Sequence, residues 1–243
     1  MALIEEMEAQ GNFLFKYRSY LPIVLLAVAL VVFLLDQSEW SINYFYLALA
    51  VSLIGLLIRV HIVGHTPKNT SGRNTSEGQV ADTLNTTGFY SIIRHPLYFG
   101  NFFMYIGFAV LTGQIWFVVA CTAIFYLYYE RIMIAEEQFL RRKFGAVYEN
   151  WSSTTPPIIP AFTGWKKPAI SFSLKKVLKK EKNGLLATFA IYYIALALKS
   201  YVTSGSFDVD PQWMFYATAA SAIIYLVLKL IKNNTSILEE EGR

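Results

Sequence analysis

The run LYFGNFFMYIGFAVL-TGQ-IWFVVACTAIFYLYY, residues 97–129, decides the fold. Two stretches without a charged side chain, 97–111 and 115–129, are separated only by Thr112-Gly113-Gln114. A backbone in lipid has to satisfy its own hydrogen bonds, so each stretch is expected as a helix, and the short break as a tight helical hairpin. Working outward, similar apolar runs occupy residues 20–35, 44–60, 185–202 and 213–231. Several approach the roughly 20 residues that carry a helix across a bilayer. The 243-residue chain is 55% hydrophobic and only 16% charged, well below the roughly 25% charge of soluble domains. The expected fold class is all-α: a polytopic membrane protein of about six transmembrane helices.

Charge asymmetry sets the expected orientation. Ser38-Glu39-Trp40, the 112–114 turn and the loop holding Asp208 and Asp210 carry no Lys or Arg. On the other side stand Lys16, Arg18, Arg59, Lys68, Arg73, Arg94, Arg131, Arg141, Arg142, Lys143 and a lysine series ending at Lys182. The positive-inside rule then puts both termini in the cytosol. Lys199 is the exception, read as snorkelling or as a pathway residue. The net charge of +4 fits contact with anionic inner-leaflet lipids rather than nucleic acid. Lys175, Lys176, Lys179 and Lys180 around Leu174, Val177 and Leu178 suggest a basic amphipathic helix lying on that leaflet. No signal peptide is expected behind Glu5, Glu6 and Glu8. The single Cys121 allows no internal disulfide. Sequons at Asn69, Asn74, Asn85 and Asn150 fall on the cytosolic side, where glycosylation is not expected. Three parts follow: a two-helix segment (1–60), a core (61–163) and a basic, two-helix C-terminal segment (164–243).

Two blocks flank the hairpin at that same face. The first is Gly88-Phe89-Tyr90-Ser91-Ile92-Ile93-Arg94-His95-Pro96-Leu97-Tyr98-Phe99-Gly100. Pro96 suits the first helical turn, where its missing N–H costs nothing. Arg94 and His95 then sit at a helix N-terminus able to meet an anionic group, or they simply mark the membrane boundary. The second block runs from Glu130 and Arg131 through Glu136-Glu137 to Phe144-Gly145, Tyr148 and Pro156-Pro157-Ile158-Ile159-Pro160. Adjacent glutamates diverge by about 100° on a helix. One can therefore face the core while the other faces water or Arg141, four residues on from Glu137.

Arg94-His95-Pro96-x-Tyr98-x-Gly100, with Glu136-Glu137-x-x-Leu140-x-x-x-Phe144-Gly145-x-x-Tyr148 and the closing Ile-Pro, resembles the membrane methyltransferases. These are the isoprenylcysteine carboxyl methyltransferases and their phospholipid and sterol-type relatives. The resemblance covers about residues 86–160. It implies an S-adenosylmethionine site at Tyr90, His95, Pro96, Leu97, Tyr98, Gly100, Glu136 and Glu137, facing the cytosol, and a membrane lipid or lipidated acceptor. One departure concerns the acceptor: Pro156-Pro157 stands where the prenylcysteine enzymes carry Arg after the first proline. The stretch Thr70-Ser71-Gly72-Arg73-Asn74-Thr75 looks more like bacterial relatives, some of which methylate the phosphate of lipid A.

An ionised phosphate or carboxylate acceptor needs a cation rather than a base, and Arg94, Arg131, Arg141 and Arg142 are the candidates. An amine acceptor needs a neutral nitrogen and a nearby carboxylate. Arg94, Arg131 and Glu136 are the expected catalytic groups. Carboxyl methylation and phospholipid amine methylation remain alternatives. No strand-borne Gly-x-Gly-x-x-Gly points to a Rossmann-type site. No metal is expected: His61 and His65 share a helix face only if the second span continues past Gly64. Transport is disfavoured by span centres almost free of charge. A noncatalytic scaffold is the other alternative.

Overall fold

The apolar runs fold as helices in the computed structural model, which describes residues 2–18, 20–36, 40–68, 70, 73–75 and 78–243. Eight α-helices are present among these: α1 Leu3–Lys16, α2 Leu21–Leu35, α3 Ile42–Gly64, α4 Pro96–Leu111, α5 Ile115–Phe144, α6 Ala146–Ser152, α7 Leu174–Ser204 and α8 Trp213–Asn234. Four of them (α3, α5, α7, α8) are long and apolar enough to cross a membrane, and two shorter apolar helices accompany them, at Pro22–Leu35 and Pro96–Leu111. Their outward faces expose Val28, Leu57, Val119, Leu127, Ile223 and Leu226. These are the side chains a bilayer covers, and the protein is an integral membrane protein.

Lipid offers helices little hydrophobic drive to associate, so close packing of small residues carries the assembly. The α3–α4 contact shows how close that packing is. A Cβ built at Gly107 would lie 2.0 Å from the Ser52 hydroxyl, and one at Gly55 only 2.5 Å from the Gly100 carbonyl oxygen. The Ser52 hydroxyl sits 2.9 Å from the Tyr192 hydroxyl and donates to the Met104 carbonyl at 3.0 Å, tying α3, α4 and α7 together. Phe33, Phe45, Phe108, Tyr192 and Met214 fill the core around this knot. Helix α1 lies along the distal half of α5, where Phe15 packs on Phe125, Tyr129 and Ile132.

Several expectations are revised. The basic stretch at Leu174 is no separate surface helix. It forms the first turns of α7, started by Ser173, whose hydroxyl accepts from the Lys176 N–H. Lys199 donates to the carbonyls of Phe33 (3.0 Å) and Asp36 (2.8 Å), closing the C-terminus of α2. Helix α1 adds to the expected helices. A short antiparallel hairpin, β1 Arg73–Thr75 and β2 Gly78–Val80, pairs Arg73 with Val80 and qualifies the all-α expectation. Ser38, Glu39, Asn69, Ser71 and Gly72, which figured in the expectations, lie outside the described residues.

Candidate active site

Helix lengths decide where the polar groups stand. At 1.5 Å per residue α5 is about 45 Å long, against a hydrocarbon core of about 30 Å. Glu136 and Glu137 therefore fall roughly 31 Å from its start, just past the apolar zone. The chain enters α4 through a 3-10 turn, Phe89–Ser91, which follows Gly88 at φ 62°. Residues 145–168 clamp that turn. The Trp151 indole donates to the Tyr90 carbonyl at 2.9 Å, and the Arg94 and Ala161 N–H groups donate to the Pro156 and Ile92 carbonyls at 2.9 Å each. The two sequence blocks thus meet.

His95, the residue before α4, is buried and lies between the adjacent glutamates. Its Nε2 donates to Glu137 at 3.0 Å and its Nδ1 is 3.3 Å from Glu136. Both carboxylates therefore reach one imidazole from opposite sides, despite their divergence on the helix. Burial by itself lowers the pKa of His95, but the hydrogen bonds and charges of Glu136 and Glu137 outweigh it and raise it overall. Arg94 donates to Glu137 at 2.8 Å, so Glu137 is paired with Arg94 rather than Arg141. Tyr98 donates to Glu136 at 2.8 Å and stacks on His95 with ring centroids 5.8 Å apart. The Tyr148 phenol beside this group is pushed up, by burial first and then by the Glu137 charge.

Arg94, His95, Tyr98 and Glu136 form one wall of a cavity of about 620 Å³, within the roughly 300–1,000 Å³ of small-molecule sites. Tyr90, Arg94, His95, Pro96, Leu97, Tyr98 and Glu136 line it. Glu137 faces a small recess behind, with Tyr148 and Trp151. Gly100 stands aside from the lining: it lets α3 approach, and a Cβ there would come within 2.6 Å of the Arg59 stem. Arg131 is not brought to the cavity. Its helical phase turns it towards α1, where it pairs with Glu130 and Gln10. The cations present instead are Arg18, Arg59 and Lys180, none of which the motifs single out.

The donor set fits S-adenosylmethionine. Arg94 would offer a cation to its carboxylate, Glu136 could accept from its amino or ribose hydroxyl groups, and the Tyr98 ring would suit its sulfonium. Helix α3 ends at Gly64 with His65 as its C-terminal cap, and the His61 and His65 rings lie 4.7 Å apart. Among the described residues no group of three or more His, Cys, Asp or Glu could hold a metal ion.

Residues 43–147, spanning α3 to α5, match the family described as phospholipid methyltransferase. The nickel-cobalt-cadmium resistance protein NccN of Alcaligenes xylosoxydans xylosoxydans is 29% identical over 152 residues, which are 61% of this chain and 67% of that protein. The cobalt-zinc-cadmium resistance protein CzcN of Cupriavidus metallidurans is 28% identical over 155 residues, 63% of this chain and 68% of that protein. No solved structure matches significantly. The matched segment, residues 43–147, includes His95, Tyr98, Glu136 and Glu137, so the chain is similar to the phospholipid methyltransferase family where its candidate site lies.

Proposed function

We propose that the protein is an S-adenosylmethionine-dependent methyltransferase acting on a lipid or lipidated acceptor at the cytosolic interface, with a lipid phosphate as the favoured acceptor. The observation that carries this reading is the cavity itself. Its polar wall of Arg94, His95, Tyr98 and Glu136 runs into an apolar cleft of about 200 Å³ through the shared residues Leu26, Phe108 and Ile191. A polar donor site continuous with an apolar slot suits a polar headgroup with a tail. When bound, the cofactor supplies a sulfonium methyl whose C–S bond breaks with its electron pair left on sulfur, as an acceptor oxygen lone pair forms the new O–CH₃ bond. The chain's own work is positioning and exclusion of water. His95 holds both glutamates in place, Arg94 and Glu136 orient the donor, and Tyr98 covers it. A phosphate monoester is largely dianionic at neutral pH, so no proton has to move.

Lysine and arginine placement supports a cytosolic site; α3, α5, α7 and α8 are long enough to cross, and six crossings would require the shorter Pro22–Leu35 and Pro96–Leu111 to cross as well. The relatives' names attach them to metal resistance. Methylating a phosphate removes one negative charge from a headgroup and weakens its attraction for divalent cations, which connects the proposed chemistry to such a role. Calorimetric titration of the purified protein with S-adenosylmethionine tests the donor half: saturable one-to-one binding, weakened at least tenfold in Glu136→Gln, is expected. A wild type that binds no cofactor would overturn the reading.

A further inference from the structure

Arg59 is a firmly held cation of the cavity, outside the proposed donor-site groups. Glu181 of α7 takes its Nε and Nη2 at 3.0 and 2.8 Å, and Asn101 of α4 takes Nη1 at 2.6 Å. Three of the five N–H groups of a guanidinium are thus engaged, and the remainder can serve a ligand. Gly100 leaves room for the arginine stem, as its missing Cβ would lie 2.6 Å from Arg59 Cγ. Arg18 and Lys180 line the same cavity.

Position along α4 gives this cluster its meaning. Tyr98 binds Glu136, Asn101 binds Arg59, and Phe108 opens the apolar cleft. At 1.5 Å per residue, Asn101 stands about 5 Å beyond Tyr98 and Phe108 about 10 Å beyond Asn101. The Arg59 cluster therefore lies between donor site and tail slot, where an acceptor headgroup has to sit. Charge points the same way. With His95 protonated, Arg18, Arg59, Arg94, His95 and Lys180 oppose Glu136, Glu137 and Glu181. S-adenosylmethionine adds a further net positive charge, so an anionic acceptor balances the site and an amine does not. Pro156-Pro157 supplies no cation of its own.

We infer that Arg59, held by Glu181 and Asn101 and assisted by Arg18 and Lys180, is the receptor for the acceptor headgroup, and that this headgroup is a phosphate monoester carried on a lipid. The inference rests on the methyl-transfer reading. Its test is calorimetry on the full-length protein in micelles, with dihexanoyl phosphatidate, dihexanoyl phosphatidylcholine and inorganic phosphate as separate titrants. S-adenosylmethionine is titrated in parallel. Wild type is expected to bind phosphatidate at least tenfold more tightly than either other titrant. Arg59→Gln with Glu181→Gln, which removes both charges but keeps hydrogen-bonding groups, is expected to lose at least tenfold in phosphatidate affinity and to keep cofactor affinity within twofold. Lys180→Gln and Arg18→Gln, on the cavity rim, are expected to lose about threefold each and serve if the double variant does not fold. Undiminished phosphatidate binding in the variants, or equal binding of phosphatidylcholine or inorganic phosphate by wild type, overturns the inference while the methyltransferase reading stands. Absence of cofactor binding by wild type instead removes that reading, and the inference with it.

Discussion

Glu137→Ala probes the network that shapes the donor site. Glu137 meets Arg94 at 2.8 Å and His95 at 3.0 Å, with side-chain exposures of 21%, 17% and 6% respectively. An exposed pair is worth under about 1 kcal/mol, whereas stripping one partner from a fully buried pair costs about 3–5 kcal/mol. This network lies between those limits, so a destabilisation of about 2–3 kcal/mol is expected, roughly 30- to 160-fold in the folding equilibrium. Glu137→Gln keeps an acceptor and should lose less. The same variants test the His95 titration. Its folded pKa is raised above the unfolded value of about 6.5. The stabilisation is therefore fully present below about pH 6.5 and lost as pH rises through the folded value. Removing Glu137 withdraws one of the two carboxylates that raise it, so the His95 titration moves down and the pH dependence above 6.5 flattens. The assay is imidazole NMR with His61 and His65 substituted, alongside unfolding in mixed micelles. A wild-type His95 that titrates at or below 6.5, or a titration unmoved in Glu137→Ala, would refute the reasoning.

Other expectations follow from single contacts. Tyr98→Phe deletes the 2.8 Å bond to Glu136 and should weaken S-adenosylmethionine binding by about 0.5–1.5 kcal/mol in a calorimetric titration. Gly107→Ala places a Cβ 2.0 Å from the Ser52 hydroxyl and 2.7 Å from the Ala48 carbonyl, so thermal unfolding should show about 1–3 kcal/mol of destabilisation. Arg131→Gln removes a cation that faces α1 and pairs with Glu130; cofactor affinity is expected to stay within twofold.

What the sequence made legible is what local pattern encodes. Apolar runs and a three-residue break give the α4–α5 hairpin, because helix formation in lipid needs no distant partner. Pro96 and the two-block motif bring Tyr90, His95, Tyr98 and Glu136 together because they flank one hairpin. The remainder depends on helical phase and distant pairing. Arg59 and Arg131 look alike as basic residues at the ends of apolar runs. Only the partner of Arg59, Glu181, 122 residues away, sets it apart. Glu137 has Arg141 four residues on, yet it binds Arg94, 43 residues away. Helix α1 escaped a search for membrane-length runs because its burial, at Gly11 and Phe15, depends on the extension of α5 beyond the hydrocarbon. Lys199 stood out as a misplaced charge, and only the folded α2 terminus gives it carbonyls to bind.

The central claim is methyl transfer to lipid from this cavity, and one measurement reaches it directly. Purified protein, methyl-labelled S-adenosylmethionine and a total lipid extract are incubated, and label is followed into the organic phase with wild type and with His95→Ala. The account predicts labelled lipid with wild type, lost in the variant, with the label carried as a phosphate methyl ester. Label absent with wild type, or equally present with His95→Ala, would contradict it.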